Sequence, residues 1–350
     1  MYSELIKRHG VKVSFLTYGD ESDYKYRNST GEIEIIPIYA HLNKPKRAYS
    51  QMLQTLLIPW RLGRIIKAFD VYKTNQMLGS WLPVIAKILH KKPLIVRCGY
   101  ELYDFALKAN KKKIYRWFVY LISQMAYKSA DRIHLATQSD KSFVIDQFSV
   151  ASKKIHIFPN WIDTDKYACL QNSREDKVLF VGRLNRQKNI PLLLRSLVGA
   201  NTTLDIVGSG ELEGDLIREA KSLGVSVNFL GNIPNHRMPE IYNNYRIYVL
   251  CSYYEGNPKT LLEAMACGCA VIGTNVSGIR EIITHEENGL LVAEDENSLR
   301  DAILRLKGDR SLSDLLGREA SRYVKDNNSL EYLLTDEIYA YRQHIERGML

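Results

Sequence analysis

The feature that most constrains this chain is a regular alternation in its second half. Short apolar runs that end in glycine or serine are separated by helical stretches. Val178-Leu-Phe-Val-Gly182, Leu204-Asp-Ile-Val-Gly208, Val225 to Leu230, Tyr248-Val-Leu-Cys-Ser252 and Ala270 to Ile272 read as strands, with helices such as Pro191–Val198 between them. Apolar strands that alternate with helices predict a parallel sheet covered on both faces, the doubly wound α/β arrangement. In such sheets ligands bind beyond the carboxyl ends of the strands.

One stretch beyond such an end carries chemistry. In Tyr253-Tyr-Glu-Gly-Asn-Pro-Lys-Thr-Leu-Leu-Glu-Ala-Met-Ala-Cys-Gly268, the triplet Gly256-Asn257-Pro258 marks a turn. Lys259 to Ala266 has helical periodicity, and Gly268 suits a left-handed stop. The free amides at this helix start, which include Lys259 and Thr260, favour an anion. Glu255 and Glu263 bracket the loop, and ionised carboxylates only accept hydrogen bonds, so they suit hydroxyl groups. A phosphate flanked by polyols, as in a nucleotide-sugar, fits that pattern. After the first strand of this half, Gly182-Arg183-Leu-Asn-Arg-Gln-Lys188 supplies two cations able to straddle a diphosphate, Arg183 through two donors and Lys188 as a point charge. Gly208-Ser-Gly210 is followed by Glu211 and Glu213, which would repel a pyrophosphate. It therefore reads as a tight turn rather than a dinucleotide site.

The spacing Glu255-x7-Glu263, the Gly182-Arg183…Lys188 segment and Pro159-Asn-Trp-Ile-Asp163 together resemble the retaining glycosyltransferases of the GT-B fold, family 4. Trp161 stands where that family has glycine, and Ser277 replaces the first glycine of a later Gly-Gly-x-x-Glu segment ending at Glu281. The resemblance implies two Rossmann-like domains, an acceptor-side domain over 1–165 and a donor domain over 166–328. A closing helix from 329 would pack back on the first domain. The polar run 171–177 would serve as linker. It implies Glu255, Arg183 and Lys188 as the catalytic set. It further implies Gly182, Asn232, Ile233, Gly256, Asn257, Pro258, Lys259, Thr260 and Glu263 as donor contacts. The donor would be UDP- or GDP-linked, with cations taking a metal's place, and no metal or other cofactor is expected. A saccharide or lipid-linked acceptor in bacterial surface polysaccharide or glycolipid assembly completes the reading. A nucleotide-sugar-binding subunit without activity and a sugar-nucleotide epimerase remain open as alternatives.

The first half matches that family more weakly. A domain of this kind opens on a strand and a glycine-rich turn, and here Glu4–His9 already reads as helix and Val11–Leu16 as strand. Met1 to Gly10 reads as polar helix rather than a leader. Arg97, Tyr100, Glu101 and Asp104, beyond the strand Lys92–Arg97, are candidates for the acceptor side. The family's donor-facing histidine has no counterpart there.

Charge divides the chain. Residues 1–165 hold 26 Lys+Arg and 14 Asp+Glu, whereas 166–350 hold 22 and 25. A basic half suits an anionic membrane surface or an acidic acceptor, and no nucleic-acid-reading motif is present. Lys44–Asp70 is basic and partly helical, with Leu53, Leu56, Leu57, Ile65 and Ile66 as its apolar set. Ile114, Trp117, Phe118, Leu121, Ile122 and Met125 share a helical face behind a run of lysines. That face fits a membrane-surface helix, or, as the stronger reading, a core-facing helix with a solvated basic end. No run of about 18 uncharged apolar residues is present, so no spanning helix is expected. Five scattered cysteines, without a framework spacing, read as free thiols in a reducing compartment. The protein is expected in the cytoplasm, with its basic half toward the inner face of the membrane.

Overall fold

A computed structural model describes residues 1–27, 32–170 and 173–348, without the side chains of 48, 49, 52 and 344–348. Two compact units result. The first comprises 1–135, 143–156 and 331–350, and the second comprises 136–142 and 157–330. The division falls at 156/157 and 330/331, compared with the expected 165/166 and 328/329. The helix Leu330–Gly348 belongs almost wholly to the first unit.

The first unit contains two separate sheets. Strands β1 (Ser14–Thr17) and β2 (Glu34–Pro37) pair in parallel. Strands β3 (Tyr72–Lys73), β4 (Leu94–Cys98), β5 (Arg132–Leu135) and β6 (Ile155–Ile157) form a four-stranded sheet in that order. Its two faces differ in chemistry. Tyr72, Leu94, Val96, Ile133 and Leu135 are buried together under the helices Trp81–His90 and Lys113–Ser129. On the opposite face, register places Lys73 and Arg132 on either side of Ile95, and Arg97 beside His134. Side chains alternate across a strand, so these basic groups share a side. The helix Leu330–Gly348 brings fully buried Glu337 to Lys73 and to the Tyr341 hydroxyl. Burial and the neighbouring Lys73 hold the His134 imidazole well below its usual pKa, so it stays neutral among the cations.

The second unit holds six parallel strands in the order β12-β11-β10-β7-β8-β9. They are β7 (Glu175–Val181), β8 (Leu204–Val207), β9 (Val227–Gly231), β10 (Tyr245–Leu250), β11 (Ala270–Thr274) and β12 (Leu290–Val292). Order reverses between β7 and β10, so the loops leaving those two strands open a crevice. Val178, Leu179, Phe180 and Ile247 to Leu250 are buried, as expected of strands covered on both faces. The expected linker is corrected here. Residues 171–172 lie outside the described residues, and Glu175 to Lys177 already belong to β7, paired with β10 at Glu175–Tyr245. Gly268 takes φ 76° and ends the helix Lys259–Ala266 as anticipated.

Candidate functional site

The site lies in the second unit, at the carboxyl ends of the neighbouring strands β7 and β10. Their register, Ile247 to Val178 and Tyr248 to Leu179, puts the loop 182–189 beside the loop 251–258. Tyr253 N donates to Gln187 O at 2.9 Å, and Gln187 Nε2 donates to Tyr254 O at 2.9 Å. Lys188 Nζ and Glu255 Oε1 are 2.5 Å apart, with side chains 12% and 7% exposed. Ser252 Oγ donates to the same carboxylate oxygen at 2.6 Å. An ion pair so far from water persists because each charge offsets the other's desolvation.

Glycines shape the floor. At Gly208, with φ 131°, a Cβ would stand 2.0 Å from Gly182 O, and at Gly210 2.3 Å from Leu184 O. The Gly-x-Gly turn therefore lets the loops after β7 and β8 touch. Asn232 Nδ2 donates to Ser209 Oγ at 2.8 Å, which ties the loop after β9 to the same turn. Asn232 is exposed and Ile233 half-buried, as a rim should be. Arg183, at the start of the same loop as Lys188, is exposed.

The helix Lys259–Ala266 starts after Pro258 without a side-chain cap, so its first amides have no partner within the helix. Thr260 Oγ1 accepts from Tyr248 OH at 2.9 Å. Glu263 is only 5% exposed and accepts from Tyr242 OH at 3.0 Å, with Lys259 Nζ 4.0 Å away. Burial raises its pKa, against the pull of Lys259 and the Tyr242 hydroxyl. Burial pushes the pKa of the Tyr248 hydroxyl up, and the charges of Glu255 and Glu263 add to that shift. Lys259 Nζ also lies 5.4 Å from the Trp161 ring centroid, so the residue that departs from the family pattern holds a cation at the rim.

Of the four charged residues selected from sequence, the structure brings two into direct contact. Lys188 and Glu255 touch, Glu263 lies one turn into the helix that follows the loop, and Arg183 is exposed. The structural roles of three further residues were not legible in the sequence. Asn257 is bound on both sides by Asn160, its Oδ1 accepting from Asn160 N at 2.8 Å and its carbonyl from Asn160 Nδ2 at 2.6 Å. Its side chain therefore shapes the loop. Gly278 packs on the loop backbone, where a Cβ would lie 2.0 Å from Gly256 O and 2.4 Å from Glu255 O. Glu281 accepts from Gln138 N at 2.6 Å and Ser139 N at 2.8 Å, capping the helix Gln138–Phe148. The signals present were the Ser-Gly pair at 277–278 and a glutamate three residues on.

An Asp-x-Asp triplet, Asp163-Thr164-Asp165, is present, which corrects the expectation that the chain has no such metal-motif spacing. Asp163 Oδ1 instead accepts from Lys166 N at 3.1 Å within a turn. Among the described residues, no cluster of three His, Cys, Asp or Glu could hold a metal ion. Of the acceptor candidates in the first unit, Glu101 is fully buried and caps the helix Leu102–Lys108 through Asp104 N at 2.6 Å. It is a structural cap, which corrects the expectation. Asp104 pairs with Lys108, and Arg97 lies on the basic face of the sheet.

Comparison with known proteins agrees. Two sequence models match almost end to end, Glycosyltransferase Family 4 over residues 2–166 and Glycosyl transferases group 1 over residues 162–323. A Campylobacter jejuni enzyme named GalNAc-α-(1->4)-GalNAc-α-(1->3)-diNAcBac-PP-undecaprenol α-1,4-N-acetyl-D-galactosaminyltransferase is 28% identical, over 69% of this chain and 66% of its own. The chain thus spans just under two thirds of that relative. An uncharacterized glycosyltransferase of Methanocaldococcus jannaschii is 25% identical over 98% of this chain and 93% of its own. An Escherichia coli UDP-Gal:α-D-GlcNAc-diphosphoundecaprenol α-1,3-galactosyltransferase is 28% identical over 70% and 68%. Among solved structures, sucrose-phosphate synthase from Thermosynechococcus elongatus superposes with TM-score 0.81 at 19% identity, covering 97% of this chain and 90% of that one. Anabaena HepE in complex with UDP and glucose superposes with TM-score 0.78 at 16% identity, covering 94% and 91%. Those identities establish the fold, two Rossmann-like α/β domains of the GT-B class. With both halves matched, the chain belongs to the family 4, group 1 glycosyltransferases.

Proposed function

We propose that this chain transfers a sugar from a nucleoside-diphosphate sugar to an acceptor hydroxyl with retention of anomeric configuration. The observation that carries the reading is the nearly dry Lys188–Glu255 pair beside an uncapped helix start, with buried Glu263 beneath it. A diphosphate is the ligand able to draw Lys188 away from Glu255, and the freed carboxylate then accepts from sugar hydroxyls. Glu263 accepts from a ribose hydroxyl at the helix start. As the bond between the anomeric carbon and the phosphate oxygen breaks, its electron pair passes to the diphosphate. Arg183, Lys188 and the amides of Lys259 and Thr260 stabilise the charge that develops there. The acceptor oxygen forms the new bond on the face that the leaving group quits, and its proton passes to a phosphate oxygen. This reading needs no metal, because the cations occupy its role.

The names of the relatives support a lipid-linked acceptor. The Campylobacter and Escherichia enzymes act on sugars carried by undecaprenyl diphosphate, and a Staphylococcus aureus relative is named for capsular polysaccharide biosynthesis. One observation favours a second reading, a donor-binding subunit without activity. The sheets β1–β2 and β3–β6 stay separate, where one continuous sheet would make a firmer acceptor domain. Calorimetry with UDP-, GDP- and ADP-sugars tests donor binding. Arg183→Ala and Glu263→Ala should each weaken it at least tenfold, and unchanged affinity in both refutes the site. Transfer to an undecaprenyl-diphosphate saccharide, with the anomeric configuration of the product read by NMR, separates enzyme from subunit.

A further inference from the structure

The exposed side of the first unit departs from what a helix layer over a sheet requires. Leu53, Leu56, Leu57 and Trp60 lie at i, i+3, i+4 and i+7 of the helix Ala48–Arg61, which makes one stripe. That stripe faces outward, with Leu53 60% and Trp60 57% exposed, while Ile58 and Leu62 on the other side enter the core. In the helix Lys113–Ser129 the same inversion occurs. Val119, Ile122 and Ala126 are buried, whereas Ile114 is 77% and Trp117 64% exposed. The structure therefore corrects the stronger sequence reading of that helix, because half of its apolar face is turned away from the core. The helix Trp81–His90 packs between the two, adds exposed Ile88, and rests on β3 and β4. The three helices lie side by side with Trp81–His90 in the middle, so their outer sides share a surface.

Charge surrounds this surface with one sign. From Ile35 to Ala130 the chain has 17 Lys+Arg and only Asp70, Glu101 and Asp104 as acids. Those three are engaged elsewhere, Asp70 with Lys92, Asp104 with Lys108, and Glu101 as a buried cap. Arg61, Arg64 and Lys67 follow the first stripe, and Lys111, Lys112 and Lys113 precede the second, all exposed. Contiguous exposed apolar surface marks an interaction site. Here a rim of unopposed cations repels a second copy of the same face and attracts an anionic one.

We propose that the first unit docks on an anionic phospholipid bilayer through the outer faces of the helices Ala48–Arg61 and Lys113–Ser129. Trp60 and Trp117 enter the interface between headgroups and acyl chains, and the flanking lysines and arginines meet lipid phosphates. No helix among the described residues is long and apolar enough to cross a membrane, so this contact lies on the surface. It stands apart from the donor reading, since none of these residues belongs to the second unit.

The full chain is tested by co-sedimentation with vesicles of phosphatidylcholine alone and of phosphatidylcholine with 30% phosphatidylglycerol. Binding is expected to the anionic vesicles, with release at 0.5 M NaCl and a blue shift of tryptophan emission. Each cation removed should lower partitioning about fivefold, so Lys111→Gln, Lys112→Gln and Lys113→Gln together should lower it on the order of 100-fold. Trp60→Ser with Trp117→Ser should abolish the blue shift. Both variants should keep the wild-type thermal transition and donor-induced stabilisation, because the altered side chains are solvent-exposed. Equal binding to both vesicle types, no binding by wild type, or variants that bind as wild type would overturn the proposal. So would a dimer in light scattering that the tryptophan substitutions dissolve, which would assign the surface to a second copy.

Discussion

Lys188 and Glu255 provide the sharpest test of the site, because their contact depends on two strands meeting correctly. Their side chains are 12% and 7% exposed and 2.5 Å apart. Removing one member of a buried pair leaves an uncompensated charge, at a cost of about 3–5 kcal/mol. Ser252 Oγ remains to solvate Glu255, and Gln187 lies 3.5 Å from its second oxygen, so Lys188→Met should fall near the low end, about 3 kcal/mol. In a domain of this size each kcal/mol moves Tm by roughly 2–4 °C, giving a drop of about 6–12 °C. Glu255→Gln strands the ammonium instead and should cost a similar amount. The double variant keeps neither charge of the pair, so its loss should approach that of either single variant, with a coupling energy of about 3 kcal/mol. Differential scanning calorimetry of the four proteins gives the cycle. Single losses that add in the double variant, leaving less than about 0.5 kcal/mol of coupling, would show that the two groups do not meet and would remove the basis of the site.

Further outcomes follow from neighbouring residues. Burial raises the pKa of Glu263, so the folded state favours its protonated form. That contribution to stability is present below the ordinary carboxylate pKa, near 4.3, and is lost as pH rises through the raised folded value. Glu263→Gln should therefore melt above wild type at pH 7.5, converge with it toward pH 4.3, and bind donor more weakly; a melting gap independent of pH would contradict this. Gly278→Ala would push a Cβ against Gly256 O and Glu255 O. It should cost on the order of 3 kcal/mol by urea denaturation and reduce donor affinity together, since the loop backbone must shift. Lys259→Gln removes a cation held over Trp161, and because Lys259 is half-exposed the loss of stability should stay below about 1 kcal/mol.

Much of the second unit could be read from sequence because its signals are local. The turn Gly256-Asn257-Pro258, the 3.6-residue period after it and Gly268 at φ 76° mark the helix Lys259–Ala266 to the residue. The pairing of β7 with β10 is not local, and only that pairing turns a lysine and a glutamate 67 positions apart into a contact. The early start of β7 was hidden because Glu175, Asp176 and Lys177 are polar, and they extend the strand at an end where burial is low. Periodicity found the apolar stripe of the helix Lys113–Ser129 but could not say which side would be covered. That depends on how far the helix is rotated over the sheet. The same ambiguity hid the outward turn of Leu53, Leu56 and Leu57.

The glycines and the charges of the site answer one physical requirement. A cluster with one dry ion pair and one buried carboxylate is held against the tendency of those groups to seek water. It survives only if backbone, rather than mobile side chains, surrounds it. Gly208 and Gly210 let the β8 loop press on Gly182 and Leu184, and Gly278 lets the segment after β11 press on Gly256. Each contact is between main chains, where no rotamer can relax. On the proposed function, a rigid frame of this kind would let Lys188 exchange Glu255 for a phosphate without reorganisation of the loop, since the carboxylate keeps Ser252 and the lysine keeps its backbone position. The free energy released by relieving the buried charges would then be available to binding rather than lost in ordering the site. That is why the glycines, which touch no ligand by themselves, should prove as sensitive to substitution as the charged residues they support.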